Sequence, residues 1–205
     1  MGAKLTRESI VEAAFGLLDA DGIEGLTVRA LAARLGVKAP ALYWHVDSKQ
    51  ALLDEMGTEI ARRIATRAVP NSGEGFEAAL RGYAVAAREE YLAHRDGART
   101  FSGTRINDPA VLRGQEAGLR RWISQGVSLE RIVDAYDVVT AFVVGFVIEE
   151  QERADGSRYS LAQRDDAVGE DYPLAVAAGH YGFRPAQQRF DEQLDLLIRC
   201  LSQRR

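Results

Sequence analysis

Between residues 38 and 49 the chain carries Lys38, Tyr43, Trp44, His45 and Lys49, with Arg29 shortly before them. Cations can neutralise phosphates, and hydroxyl, indole and imidazole groups can contact base edges. The chemistry open to this cluster is therefore recognition of duplex nucleic acid rather than bond making. Tyr43 and Trp44 could instead be core residues, but Leu31, Leu35, Val37, Leu42 and Val46 already supply a core for this segment. Bond-making chemistry finds no support. The three histidines, His45, His94 and His180, are far apart and lack metal-ligand spacing, and no nucleophile lies beside a base. His94-Arg95-Asp96 echoes a kinase catalytic loop, yet no glycine-rich loop, strand lysine or DFG accompanies it. No enzyme, no metal and no cofactor is expected.

The elements that must position the cluster are two short helices. Leu31, Ala32 and Leu35 give the first an apolar face, and Thr27 stands before it as an N-cap. Gly36 supplies the left-handed backbone of the turn, Val37 plugs it, and Pro40 opens the second helix, on which Ala41 and Leu42 pack back. A helix that short is held by its neighbours and used for what it displays. Upstream, Thr6 caps a helix with Ile10, Ala14, Leu17 and Leu18 on one face that ends at Asp21-Gly22. The three make a helix-turn-helix head.

Overall charge is uninformative, with 26 Lys and Arg against 30 Asp and Glu in 205 residues. Locally it is not. From Leu26 to Lys49 the cations are Arg29, Arg34, Lys38 and Lys49, and the only anion is Asp47. That surplus suits a few phosphate contacts, so binding must lean on symmetry and base contacts. The single cysteine, Cys200, excludes an intrachain disulfide, fits a reducing compartment and reads as a small buried apolar residue. No run approaches the roughly 20 apolar residues of a membrane span, and no apolar signal region opens the chain, so a cytoplasmic location is expected.

Asp47 or Ser48 caps a long helix carrying Leu52, Leu53, Met56, Ile60 and Ile64 to about Ala68. A helix at 75–94 follows, then the glycine-broken, basic stretch HRDGARTFSGTRIND, then a helix opened by Asp108-Pro109 and ended before Gly126. The segment from Ser128 to Arg153 is apolar nearly all round between Val138 and Ile148, so more than one neighbour must cover it; Gly145 admits a close partner helix. Residues 154–171 read as a mobile loop, Tyr172 to His180 as a short helix, and Pro185 opens the last helix. The helices at 128–153 and 185–204 offer more apolar surface than one small body needs, which implies a homodimer.

LTVRALAARLGVKAPALYWHVDSKQALLDEM resembles the DNA-binding head of the TetR family of bacterial repressors, and HRDGAR…GTR with QGVSLER…GFVIEEQE resembles the family's drug-responsive type of core. The resemblance implies an all-α chain: a three-helix DNA-binding domain at 1–47, and a helical effector-binding and dimerisation domain at 48–205, joined by the helix at 48–68. It also implies operator contacts. Thr27, Tyr43 and Lys49 would bind phosphate, Arg29 would reach a guanine edge, and Pro40, Trp44 and His45 would line the groove. Lys38 and Ala39 replace an acid and a base-reading glutamine of drug-responsive members, so the operator sequence should differ.

The implied effector site comprises Ala65, Tyr83, Ala87, Phe101, Thr104, Arg105, Ile106 and Glu149. Family members that answer to a magnesium–tetracycline chelate hold it through a histidine where this sequence has Phe101. Polar drug contacts likewise fall here on Ala65, Tyr83 and Ala87. A phenyl ring cannot ligate Mg²⁺, so the expected effector is a larger, less polar organic molecule rather than that chelate. The alternative is that the pocket has filled as plain core, leaving a dimeric regulator that acts constitutively or through a protein partner.

Overall fold

A computed structural model describes residues 5–154, 160–169 and 171–202. Among these residues it contains helices and no strand: α1 (Arg7–Gly25), α2 (Val28–Arg34), α3 (Ala39–Tyr43), α4 (Lys49–Arg67), α5 (Phe76–Leu92), α6 (Gly97–Phe101), α7 (Pro109–Ser124), α8 (Leu129–Ala154), α9 (Leu161–Val168), α10 (Pro173–Gly182) and α11 (Ala186–Ser202). None of them is long and apolar enough to cross a membrane. The chain divides into two compact units, Met1–Val144 and Gly145–Arg205, with the boundary inside α8.

In the first unit the ends of the helices are set locally. Thr6 and Ser9 form a reciprocal capping box at the start of α1. Thr27 accepts from the Ala30 N–H at 3.1 Å, and Ser48, not Asp47, caps α4 by accepting from the Ala51 N–H at 3.0 Å. Gly36 turns the chain at φ 66°, a conformation open to glycine at little cost. Two expectations shift by a turn or less. The first helix kinks at Gly22 but continues to Gly25, and α3 begins at Ala39, so Pro40 is its second residue.

Ile10, Ala14, Phe15, Leu18, Leu31, Leu42 and Val46 close the core of the head. Ala41 is exposed rather than packed, because Leu42 and Val46 alone anchor this five-residue helix. Along α4, Leu52, Met56, Ile60 and Ile64 are buried as the sequence pattern requires, while Leu53, at the edge of that stripe, is half-buried. At its far end, Arg67 pairs with the buried Glu90 of α5 at 2.8 Å and with Glu89 at 3.1 Å. Removing one partner of such a pair leaves a buried charge uncompensated, so the joint is firm.

Two helices lie where the sequence suggested irregular backbone. The glycine-broken stretch contains α6, whose Gly97, Ala98, Thr100 and Phe101 are all buried. Its five residues are helical through that packing rather than through capping, since Asp96 makes no side-chain cap bond. The expected loop at 154–171 contains α9, started by Ser160, whose hydroxyl accepts from the Gln163 N–H. Residues 155–159 and 170 lie outside the described residues. In the second unit, α9 and α10 are joined by Asp165 and His180 at 2.7 Å, and Phe190 of α11 meets Phe146 of α8 edge-on at 5.2 Å. Cys200, expected to be buried, is exposed, because the buried side of α11 is taken by Phe190, Leu194 and Ile198.

Candidate nucleic-acid interface and effector region

Local capping and two buried anchors leave one face of α2 and α3 free. Trp44 is 89% exposed and Tyr43 51%. Arg29, Lys38, Pro40 and His45 are exposed with them, Thr27 is exposed while capping α2, and Ala39 is half-buried. An indole placed almost wholly in water carries a large unpaid apolar surface that invites a partner. Lys49 is held differently from its neighbours: its ammonium donates to the Ile23 carbonyl at 2.8 Å, across the end of α1. One of its three donors is therefore committed within the head.

The head is joined to the rest of its unit by the 94–96 turn, a role the sequence motif did not disclose. Asp19 accepts from the Arg95 N–H at 3.2 Å and faces His94 Nδ1 at 3.1 Å. Arg95 donates to the Ala20 carbonyl at 3.1 Å, and Asp96 accepts from the Ile23 N–H at 3.1 Å. The His94 ring stacks on Phe15 of α1 at 4.4 Å. Phe15 also meets Phe101 at 5.9 Å and lies under the Arg63 guanidinium at 4.7 Å. One ring of α1 therefore touches α4, α6 and the turn before α6.

The segment after α6 is seated on α4. Asp54 accepts from the Arg105 N–H and Thr58 from the Asn107 N–H, both at 3.0 Å. The Thr104 hydroxyl donates to the Phe101 carbonyl at 2.9 Å. Gly57 makes this seat: a Cβ there would lie 2.1 Å from Thr104 Oγ1 and 2.7 Å from Thr104 Cβ. Gly57→Ala gains helix propensity of about 1 kcal/mol but incurs overpacking of roughly 1–3 kcal/mol. We expect a lower melting temperature and faster hydrogen exchange at the Asn107 amide. A gain in stability would show that the segment does not sit on α4.

The sequence-derived effector residues are only partly gathered. In the first unit Phe101 and Ala87 are buried, Tyr83, Thr104 and Ile106 are half-buried, and Ala65 and Arg105 are exposed. Glu149 belongs to the second unit, where it is exposed and pairs with Arg153 at 3.4 Å. The hydroxyls of Tyr83 and Thr140 lie 2.7 Å apart, and Thr140 donates to the Tyr136 carbonyl at 2.7 Å. With the single threonine proton so used, the Tyr83 phenol is the donor. Tyr83 packs edge-on to Tyr136 at 5.0 Å, and Tyr136 to Phe76 at 6.2 Å. Tyr91 stacks beside Phe101 at 6.2 Å. Tyr136, Thr140 and Tyr91 were not among the sequence-derived site residues; Tyr91 and Tyr136 fall at helical spacing with apolar neighbours, and Thr140 is the one polar interruption of the apolar run from Val138 to Ile148.

This donor set does not fit a magnesium chelate. Phe101 offers a ring, and the Thr104 hydroxyl is turned back onto the Phe101 carbonyl. A separate crevice of about 380 Å³ lies between the start of α1, α4 and the start of α7, lined by Arg7, Glu55, Arg62 and Asp108 among others. Several of its charges are paired across it, Arg7 with Glu55 at 3.0 Å and Arg62 with Asp108 at 2.8 Å.

Burial, aided by the nearby Tyr83, pushes the Tyr91 phenol up from 10.0 to about 12. The folded state thus keeps a proton that the unfolded chain releases at lower pH. Its contribution to stability is complete below about pH 10 and is lost as the pH rises through about 12. Denaturant midpoints measured across this window should fall steeply for the natural chain and less steeply for Tyr91→Phe.

Comparison with known proteins gives a consistent picture. Residues 10–56 match the family described as bacterial regulatory proteins, tetR family, and residues 69–205 match the tetracyclin repressor-like C-terminal domain. The chain is 38% identical over 199 residues to the class D tetracycline repressor protein of Escherichia coli, covering 96% of this chain and 89% of that one. It is similar in structure to a possible TetR family transcriptional regulator from Streptomyces coelicolor, with TM-score 0.82, 31% identity, and coverage of 98% and 100% of the two chains. It is also similar to a class A TetR in complex with 5a,6-anhydrotetracycline and magnesium, with TM-score 0.72, 30% identity, and coverage of 98% and 100%.

Proposed function

The chain belongs to the TetR family of bacterial regulatory proteins, and on that premise we propose that it is a homodimeric transcriptional repressor released from a pseudo-palindromic operator by a small organic effector. It is a ligand-responsive, DNA-binding regulator, and its relatives are transcriptional repressors rather than enzymes. The observation that carries the reading is the exposed Tyr43–Trp44 pair on a helix anchored by buried Leu42 and Val46, beside Arg29 and Lys38. Two heads on one dyad would set their recognition helices in successive major grooves, about 34–36 Å apart. Lys49 and the Thr27 and Tyr43 hydroxyls would grip phosphate.

The second copy has apolar surface to meet. In the first unit Val133 and Val138 of α8 are exposed, and in the second Leu196 of α11; Gly145 has nothing within 4 Å of a Cβ added there. Domains at 1–47 and 48–205, with α4 as the link, remain the functional division we propose.

The effector would be metal-free and less polar than a magnesium–tetracycline chelate, bound against Tyr83, Ala87 and Phe101. Displacing Phe101 would press on Phe15 of α1, and displacing the 104–107 segment would press on α4 through Gly57. Coupling of about 1–3 kcal/mol suffices to lower occupancy 5–150-fold. The burial of Phe101 and Ala87 favours a second reading, a filled core and constitutive binding.

Selection of duplexes from a random pool tests the first part: two-fold-symmetric sites should be enriched, and a monomer that enriches none would end the proposal. Mass spectrometry of small molecules carried through purification under native conditions then separates the two readings. Tetracycline with Mg²⁺ should leave the operator complex intact.

A further inference from the structure

The cations of the head are not equivalent. Of the four between Leu26 and Lys49, Arg34 is folded back over α1, its guanidinium so close that a Cβ on Gly16 would lie 2.5 Å from Nη2. Lys49 is bonded to the Ile23 carbonyl. Arg29 and Lys38 are exposed, and among the described residues neither has a hydrogen bond or an ion pair. Lys38 immediately precedes α3 and makes no side-chain cap bond, so its ammonium is uncommitted, on the same exposed segment as Pro40, Tyr43 and Trp44.

We infer that Lys38 is a specificity-determining residue that reads a guanine in each operator half-site, in addition to the guanine assigned to Arg29. This rests on the repressor reading above. An ammonium has donors and no acceptor. In the major groove only guanine presents two adjacent acceptors, O6 and N7, on one base edge, whereas adenine and cytosine present amino donors that repel it. The exposed surface from Lys38 to Val46 contains no carboxylate and no amide side chain, so α3 has no carboxylate to accept from cytosine N4 and no amide to pair bidentately with adenine. The side chains beside Lys38 are apolar, and Ala39 and Pro40 suit a neighbouring thymine methyl. The half-site should therefore contain two guanines, one for each free cation, and a thymine next to the one read by Lys38.

The test uses the full-length chain and duplexes selected by it. One guanine position in each half-site should be indifferent to Arg29 and respond to Lys38. On the selected duplex Lys38→Ala should weaken binding roughly 5- to 150-fold per half-site, and on a duplex with adenine at that position it should have little effect. Lys38→Gln should shift the preference there to adenine, the base that an amide pairs with bidentately.

Uniform weakening on every duplex, with the salt slope reduced by about one per lysine removed, would overturn the inference. It would place Lys38 on a phosphate while leaving the repressor reading intact. Failure of the natural chain to enrich any symmetric duplex would remove both. The Lys38 side chain is exposed and, among the described residues, makes no hydrogen bond or ion pair, so a folding defect will not imitate either result; circular dichroism provides the check.

Discussion

Arg29→Ala should weaken operator binding by roughly 30-fold or more and leave the melting temperature unchanged. Each lost bidentate guanine contact removes about 1–3 kcal/mol, and a dimer loses one at each half-site. The structure gives no reason for a compensating loss of stability. Arg29 is exposed on α2 and, among the described residues, without a partner, and surface substitutions of that kind stay within about 0.5 kcal/mol. Fluorescence anisotropy on the selected duplex and calorimetry on the free protein read the two quantities separately. Equal affinity for the natural chain and the variant would remove Arg29 from the interface. Trp44→Ala should behave in the same direction, because an indole 89% exposed in the free protein contributes nothing to its core.

Phe15→Ala should have the opposite profile: a severe loss of stability with the reading face left chemically intact. Phe15 is 2% exposed, and its ring fills the space between the His94 and Phe101 rings and the Arg63 guanidinium. Emptying that space costs about 3–5 kcal/mol, which for a chain of this size lowers the melting temperature by roughly 6–20 °C. The 94–96 turn would lose its stacking surface, so amide exchange should rise at Ile23 and Arg95, whose N–H groups donate to Asp96 and Asp19. Phe15→Leu keeps most of the volume and should fall between. A variant that melted with the natural chain would mean that the head is not held through this ring.

These predictions show which information was local in the chain and which was not. Thr6, Thr27, Ser48 and Asp108 announce helix starts because a cap bonds to an amide two or three residues on. Gly36 and Gly126 announce stops because both take positive φ. The exposure of Tyr43 and Trp44 was legible because the same few residues already contained enough aliphatic side chains for the core.

The clasp between Asp19 and Arg95 joins positions 76 residues apart, and no periodicity encodes it; HRDG looked like punctuation until α1 was placed against it. Helix α6 was hidden for the same reason, being stabilised by what buries Phe101 rather than by its own sequence. Helix α9 was legible in principle, since Ser160 is an ordinary N-cap, but the surrounding charge and glycine outweighed one serine. In the effector region the sequence pointed to Tyr83 and Phe101. It did not disclose the Thr140 hydroxyl that fixes the Tyr83 proton, because that contact joins two helices.

The pair formed by Arg67 and the buried Glu90 fixes one end of α4, and a stiff rod pinned at one end gives mechanical advantage. Lys49 stands about 27 Å from that pivot and Gly57 about 15 Å, at 1.5 Å per residue. A 1 Å displacement delivered at Gly57 therefore arrives at Lys49 nearly doubled. Mirrored in a second copy, the gap between two reading faces would change by up to about 4 Å, an appreciable phase error against a groove repeat of about 34 Å. Weakening the pivot, as in Glu90→Gln, would let the rod translate instead of swing and would squander that gain.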